Sequence, residues 1–388
     1  MVSTSMLAPS FLKAFNPGQQ FRSRSGKILI VVQLSGGNDG LNTVVPYTND
    51  IYYQNRPRLG IQQSDVLSLN DELGLNPVMQ GLQSLYEEGH VSILNSVGYP
   101  NPDRSHFRSM DIWQTASDSD KYLKSGWLGR YLDSACAKGA PAYHGLEIDD
   151  SLSLAMKGDH YNGFAMSNPK QLQRSSANKF LKAVAKQGHD HEAENVAYLY
   201  KTMIDSQSSA SYLFEQSKVF SSSETYPNTP FGKDLKQVAE LITADTDTRV
   251  YYLSLTGFDT HANQKNQQER LLKQYADGMR ALVNDLKSNG LFKDTLILTF
   301  SEFGRRVKQN ASNGTDHGTA NNLFLIGEQL HQPGFFNAAP NLKNLDNGDL
   351  VYEIDFRNIY ASVLEHWLGS SAPNVLGKHF DPLKIVKS

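Results

Sequence analysis

The sequence predicts an α/β fold: a mostly parallel β-sheet flanked by helices. Three largely apolar runs of strand length favour it, at residues 28–34 (ILIVVQL), 250–255 (VYYLSL) and 295–300 (TLILTF). Their near-continuous apolarity is typical of strands that are buried on both faces of a parallel sheet. An amphipathic helical pattern at residues 268–287 separates the last two runs. Strand, crossover helix and strand together make the right-handed unit from which parallel sheets are built.

The remaining elements are shorter and follow in chain order. Helices are predicted at residues 77–88, 105–115, 127–138 and 354–368, and further strands at 91–94 and 323–326. Proline in the first turn supports the first of these helices. Residues from about 150 to 245 lack strong strand runs and contain several helical patterns. We interpret them as a mostly helical insertion in a single domain that spans residues 28–388.

Composition excludes several classes of protein. The chain has 388 residues, of which 39% are hydrophobic and 20% charged, so it is long enough to bury a large core. With 37 basic and 40 acidic residues the net charge is -3, which gives no electrostatic footprint for nucleic acid. No apolar run approaches the roughly 20 residues of a transmembrane segment. The single cysteine rules out an intrachain disulfide.

The N-terminal residues leave two interpretations open. Residues 1–15 are rich in Ser, Ala and Leu and contain no acidic residue. They fit the trailing part of an export signal whose basic start is missing, and they fit a frayed cytoplasmic N-terminus equally well. Residues 16–27 are polar, with Gly, Ser and Arg, and are interpreted as an extended linker into the domain.

Two short segments carry most of the functional information, GFDTH at residues 257–261 and GTDHG at residues 314–318. Each places a carboxylate next to a histidine in a turn rich in Gly and Thr. Carboxylate oxygen and neutral imidazole are ligands that suit zinc and related divalent ions. The first segment directly follows a predicted strand, and open α/β sheets bind ligands at such strand ends. Asp259 and His261 are two residues apart, which lets both reach one ion. A metal-assisted hydrolase is therefore the first hypothesis.

Two other predicted strand ends carry polar residues with more than one interpretation. In SGGNDG, residues 35–40, glycines allow a sharp bend that brings Asp39 to a bound ion, although Asn-Asp-Gly is also ordinary turn chemistry. Ser105 begins a predicted helix, where it is either a nucleophile or anion-binding group, or simply an N-cap. The neighbouring His106 is expected to point elsewhere on that helix.

The segment SEFGRR, residues 301–306, follows the predicted strand at 295–300. Glu302 offers a metal ligand or a base. Arg305 and Arg306 are suited to holding an anionic group in bidentate fashion, or else form a solvated basic pair.

Together these segments resemble the alkaline phosphatase and sulfatase superfamily, and more closely its domain of unknown function 1501 branch. The resemblance is carried by residues 34–42, 104–107, 257–261, 301–305 and 315–318, in the family's order. Proteins of this branch are often exported by the twin-arginine route. The resemblance therefore implies an alkaline-phosphatase-like fold, a location in the periplasm or cell envelope, and residues 1–15 as the tail of a twin-arginine signal.

In that superfamily two metals flank a Ser or Thr nucleophile. Carried over to this sequence, the resemblance implies one metal on Asp259, His261 and His317, a second on Asp39 and Glu302, and Ser105 as the nucleophile between them. In the hydrolase hypothesis, Arg305 neutralises the ester oxygens. Two positions depart from the superfamily pattern. Glu302-Phe303 stands where an Asp-His pair is usual, so one histidine ligand is lost, and the gap between Asp259 and His261 is shorter than usual.

Two functions are carried forward from the sequence. The first is a metal-dependent hydrolase of phosphate or sulfate esters. It would bind one or two divalent ions, with zinc the preferred metal, and its substrate would be a small-molecule or glycan-linked anionic ester. The second is an exported, non-catalytic binding or assembly protein that retains the phosphatase-like fold, which the departure at Phe303 motivates. The fold does not choose between them, because one fold supports many functions.

Overall fold

The computed structural model describes residues 26–135, 142–170 and 208–387. The expected signal remnant with nearly all of its linker, and residues 171–207 of the helical insertion expected at about 150–245, lie outside the described residues.

Fourteen strands are present in the described part of the chain. They are β1 (Ile28–Ser35), β2 (Val44–Val45), β3 (Leu67–Ser68), β4 (Gly74–Leu75), β5 (Val91–Gly98), β6 (Gly145–Glu147), β7 (Phe164–Ala165), β8 (Val250–Thr256), β9 (Thr295–Phe300), β10 (Asn321–Gly327), β11 (Gly334–Phe335), β12 (Leu345–Asp346), β13 (Asp349–Leu350) and β14 (Ile354–Asp355). The main α-helices are α1 (Asp50–Asn55), α2 (Gln80–Glu87), α3 (His106–Thr115), α4 (Trp127–Ala135), α5 (Pro230–Thr243), α6 (Gln264–Ser288), α7 (Phe356–Ser362) and α8 (Ala372–Leu376). Residues 208–216 are also helical.

A nine-stranded sheet forms the centre of the fold, in the order β11-β5-β10-β9-β1-β8-β6-β7, with β14 also paired to β5. Strand β10 is antiparallel to both of its neighbours, and the other pairings in this sheet are parallel. The expected α/β fold with a mostly parallel sheet is thereby confirmed. Two small antiparallel sheets, β2-β4-β3 and β12-β13, lie outside it.

Both faces of the central strand are apolar, so helices cover both faces of the sheet. Ile28, Ile30 and Val32 of β1 point into one core, which also contains the apolar faces of α2, α5 and α6. Leu29 and Val31 point into the other core, which contains α3, α4 and α7. The alternation follows from the two-residue repeat of a strand.

The observed elements differ from the predicted ones mainly at their ends. Strands β6 and β7, of three and two residues, extend the sheet and were too short to be predicted from an apolar run. The predicted helix at 354–368 begins two residues late, because Asp355 ends β14 and caps α7 by accepting a hydrogen bond from Arg357 N. Among the described residues, no helix is long and apolar enough to cross a lipid bilayer.

Candidate metal centre

Parallel pairing brings three polar loops to one edge of the sheet. Strands β8 and β9 both pair with β1, and Ser35 lies opposite Thr256 at the carboxyl ends. The segments that follow β1, β8 and β9 therefore leave the sheet side by side. An isolated antiparallel bridge between Arg305 and His317 adds the segment that precedes β10. Helix α3 adds His106, its first residue.

Three imidazole rings converge on one oxygen atom, Asp259 Oδ1. The Nε2 atoms of His261, His317 and His106 lie 3.0, 3.2 and 3.4 Å from it. The Nε2 atoms of His261 and His317 are 2.9 Å apart. Tetrahedral zinc, with ligand bonds of about 2.0–2.2 Å, would hold its ligand atoms about 3.3 Å from one another. Within this set, the ligand atoms of His106, Asp259 and His317 all lie within 4.8 Å of one another, a spacing that fits a divalent ion.

The outer nitrogens of the three imidazoles orient these rings. His317 Nδ1 lies 2.8 Å from the carbonyl oxygen of Arg104, which can only accept, so Nδ1 carries the proton and Nε2 the lone pair. His106 Nδ1 lies 3.0 Å from Glu302 Oε1. His261 Nδ1 lies 3.5 Å from a carboxylate oxygen of Asp316. Oxygen acceptors behind ligand histidines are the usual outer shell of a metal site.

One of the inward-facing nitrogens has no hydrogen-bond partner. His106 Nε2 is buried and unsatisfied among the described residues. A buried polar atom without a partner requires an explanation, such as an ion. The nearest atoms are the Asp259 carboxylate and other imidazole nitrogens, which are metal-ligating groups. A cation at this point satisfies all of them, so the donor set fits the metal that the family resemblance implies.

The local electrostatics favour the ligating forms of Asp259 and His317, but not that of His106. Burial alone would raise the pKa of Asp259, but the hydrogen bond from Arg305 and the positive charge of its guanidinium lower that pKa to about 2. Burial lowers the pKa of His317, which favours the neutral ring that binds metals. The hydrogen bond to Glu302 raises the pKa of His106. This contact stabilises the protonated form of His106, so a metal that binds there competes with a proton.

Glu302 and Phe303 form the wall behind these rings. Glu302 is fully buried and contacts the outer nitrogen of His106. The ring of Phe303 lies 4.8 Å from that of His106 and 4.7 Å from that of His317, measured between centroids. Where the superfamily pattern has a histidine, this chain therefore has a ring that packs against two of the candidate ligands.

Asp39, the other predicted ligand of a second metal, has different partners. Its side chain is buried and forms an ion pair of 2.5 Å with Arg56. It also accepts a hydrogen bond from Gln264. Its partners include neither Glu302 nor any of the three histidines. The structure therefore brings Asp259, His261 and His317 together, whereas no hydrogen bond or ion pair between described residues joins Asp39 to Glu302.

The position of Arg305 does not suit its expected role of neutralising ester oxygens. Its guanidinium donates to the carbonyl oxygens of Gly36, Gly37, Phe258 and Thr315, and to Asp259 Oδ1 at 2.9 Å. The side chain has no solvent exposure. The expected contact between Arg305 and ester oxygens is corrected accordingly: this arginine ties the loops together and is inaccessible to a substrate.

Ser105 remains available for the role that the sequence suggests. It is exposed at the N-cap of α3, and its hydroxyl makes no capping hydrogen bond. Its two neighbours both belong to the centre, because the Arg104 carbonyl holds His317 and the His106 ring faces Asp259. His106 itself was missed as a ligand. Its place in the shared segment 104–107 was the available signal, but the helical direction assumed for it was wrong.

Comparisons with known proteins agree with the motif resemblance. A family model described as "Protein of unknown function (DUF1501)" matches residues 26–344. No curated protein sequence matches this chain.

Several solved structures are similar in fold. The C-terminal periplasmic domain of EcEptC from Escherichia coli, solved in complex with Zn, is 12% identical, with 78% of this chain and 73% of that chain covered and a TM-score of 0.38. A protein in the alkaline phosphatase superfamily from Vibrio parahaemolyticus is 11% identical, with 92% and 70% covered and a TM-score of 0.39. The PsFucS1 sulfatase from Pseudoalteromonas sp. is 13% identical, with 92% and 70% covered and a TM-score of 0.40.

Proposed function

We propose that this chain, which belongs to the DUF1501 family of proteins of unknown function, is a metal-dependent hydrolase of phosphate or sulfate esters. The convergence of three imidazole Nε2 atoms on Asp259 Oδ1 carries the proposal. His106, Asp259 and His317 can offer ligand atoms to a single ion. His261 lies on the more exposed side of the same oxygen, with 47% of its side chain accessible. Three protein ligands and one open position are typical of catalytic zinc, whereas structural zinc sites are closed by four.

The residues divide the proposed chemistry among them. His106, Asp259 and His317 would hold a divalent ion, which when bound would supply Lewis-acid stabilisation of negative charge on an ester oxygen. Ser105 Oγ loses its proton to water and attacks phosphorus or sulfur, so that a bond forms to the serine while the bond to the leaving alkoxide breaks, and the alkoxide takes up a proton from water. A water molecule then attacks the same phosphorus or sulfur, the bond to Ser105 Oγ breaks, and phosphate or sulfate leaves with the serine hydroxyl restored. Glu302 keeps the His106 ring in its ligating orientation through the 3.0 Å contact at Nδ1.

The setting proposed for this activity follows from the family resemblance. We place the protein in the periplasm or cell envelope, and its substrate among small-molecule or glycan-linked anionic esters. Zinc is the proposed metal because imidazole and carboxylate are the donors at the centre.

Elemental analysis combined with one variant tests the proposal. Protein purified without chelator is expected to hold about one zinc per chain and to turn over an aryl phosphate or aryl sulfate. Ser105→Ala is expected to keep the metal and to lose turnover, because only the nucleophile is removed. Retained turnover in Ser105→Ala would exclude the serine as nucleophile. A chain that binds no divalent ion would exclude the whole mechanism.

A second function is favoured by one observation. The carboxylates expected to bind a second metal have other partners, since Asp39 pairs with Arg56 and Glu302 contacts His106. A centre that is completed by His261 would be four-coordinate, and the protein would then be a non-catalytic binding or assembly protein with a structural ion. Full metal occupancy with no turnover of any phosphate or sulfate ester would favour this alternative.

A further inference from the structure

A buried carboxylate next to the metal centre holds two arginines that the mechanism above does not use. The Asp349 side chain on β13 is 1% exposed, and Arg104 Nη2 binds its Oδ2 atom. Arg306 Nε lies 3.7 Å from its other oxygen. The two arginine side chains are 43% and 38% exposed, so their guanidinium groups are accessible at the surface while their anchor is not.

The backbone places both arginines next to the candidate ligands. Arg104 directly precedes Ser105, and its carbonyl oxygen accepts the 2.8 Å hydrogen bond from His317 Nδ1. Arg306 N donates a 3.0 Å hydrogen bond to the carbonyl oxygen of Asp316, whose carboxylate faces His261. Each arginine is therefore one residue or one hydrogen bond away from a member of the centre.

Both guanidinium groups keep donors that the protein does not use. Apart from their ion pairs with Asp349, neither side chain forms a hydrogen bond to a described residue. The two guanidinium groups share the single Asp349 carboxylate, and Arg306 also interacts electrostatically with the Asp316 carboxylate. Arg305 shows the contrast, because its side chain is unexposed and its donors are bound to the loops.

A cavity of about 190 Å³ lies near Asp349, the anchor of the pair. It extends from Phe303, which packs against His106, to Leu350, the neighbour of Asp349. Tyr99 and Tyr352 line it as well, so its walls are largely apolar, and neither arginine belongs to its lining.

We infer that Arg104 and Arg306 form an anion-binding pair for the tetrahedral phosphate or sulfate group of the substrate, with Asp349 as their positioning residue. The inference rests on the proposed ester hydrolysis, and it names the residues that bind the charged group of the substrate. Guanidinium groups suit this task because their planar N–H donors match the oxygens of such anions in bidentate geometry.

Anion binding can be measured independently of turnover. Sodium phosphate and, separately, sodium sulfate are titrated calorimetrically into protein that has been stripped of metal by a chelator. Arg306→Gln and Arg104→Gln are each expected to weaken binding of the preferred anion about tenfold or more, because each removes charge-assisted hydrogen bonds. The matched control is Arg280→Gln on α6, an arginine that is 33% exposed and paired with Glu88. It is expected to bind as the wild type does.

The outcomes separate the inference from the proposed function. Unchanged affinity in Arg306→Gln, equal weakening in Arg280→Gln, or no saturable binding of either anion to the wild type would each overturn the arginine pair. The Arg306 variant decides the matter if Arg104→Gln does not fold, since Arg306 makes no hydrogen bond through its side chain. A protein that binds the anion through this pair but hydrolyses no ester would contradict the proposed function alone. Hydrolysis with unchanged KM in Arg306→Gln would contradict the pair alone.

Discussion

Single residues decide which side chains can share an ion. Asp259 Oδ1 is the common neighbour of the His106, His261 and His317 rings, and their outer nitrogens all face oxygen acceptors. The three contacts differ in quality, however. His317 and His106 have partners at 2.8 and 3.0 Å, whereas the Asp316 oxygen is 3.5 Å from His261. A ring that is well held loses less conformational entropy when it binds a metal, so the first two should contribute more to affinity.

We therefore expect unequal losses of zinc affinity when these histidines are replaced. His106→Asn and His317→Asn should each weaken zinc binding by more than about a hundredfold, a loss larger than that typical of outer-shell substitutions. His261→Asn should have a smaller effect. Zinc competition with a chromophoric chelator measures the affinities. The control is His379→Asn, whose histidine is 71% exposed and pairs with Asp381. Wild-type zinc affinity in His106→Asn would show that the ligands are the three predicted from the sequence, Asp259, His261 and His317.

The turn after β1 determines how closely the loops can approach one another. Gly37 has a φ of +72°, in the left-handed region, and a Cβ atom there would overlap the ring of Phe303. That ring in turn packs against His106 and His317. A side chain at position 37 would therefore displace the wall of the metal centre as well as strain the backbone.

A pair of glycine substitutions separates the two effects. Gly290 has a similar φ of +68°, but no atom of a described residue lies within 4 Å of its would-be Cβ. Gly290→Ala should cost about 1 kcal/mol of unfolding free energy, from the backbone alone. Gly37→Ala should cost about 3 kcal/mol, since steric overlap in a packed region is added. Urea denaturation measures both values. Equal losses in the two variants would show that Phe303 moves aside without cost.

A buried acid at the end of β6 affects the stability of the whole molecule. Glu147 ends β6 with 3% of its surface exposed, and one of its oxygens accepts a 2.7 Å hydrogen bond from Ser153 N. Burial raises the pKa of Glu147 from 4.5 to about 7. Between these two values the folded protein binds more protons than the unfolded chain, so rising pH destabilises the fold through this residue.

We expect Glu147→Gln to remove this pH dependence. The variant's stability relative to the wild type should increase by about 3 kcal/mol as the pH rises from 4.5 to 7.5. Urea denaturation at intervals across that range measures the difference. Glu215→Gln is a suitable control, because Glu215 is 59% exposed and forms only a surface ion pair with Lys218, and its curve should run parallel to that of the wild type. A constant difference between Glu147→Gln and wild type would show that Glu147 stays ionised in the fold.

Burial of apolar runs and local sequence pattern explain why some predictions were confirmed. β9 is observed at Thr295–Phe300, as predicted, because a largely apolar run of this length is stabilised by burial. The family resemblance is likewise confirmed by the match over residues 26–344. Strands β6 and β7 were not predicted, because two or three residues are too few to show a local sequence pattern. β6 pairs with β8, and β7 pairs with β6.

By itself the sequence determined which segments are buried, which family the chain belongs to, and that Asp259, His261 and His317 follow or precede strands that meet at one edge. These properties depend on local apolarity and on motifs of a few residues. The tertiary structure alone decided that His106 turns toward Asp259, that Asp39 pairs with Arg56, and that Arg305 is buried under the loops. The direction and partner of a polar side chain depend on neighbours far away in the chain, because an ion pair or hydrogen bond forms only where the packed backbone brings both groups within about 3–4 Å.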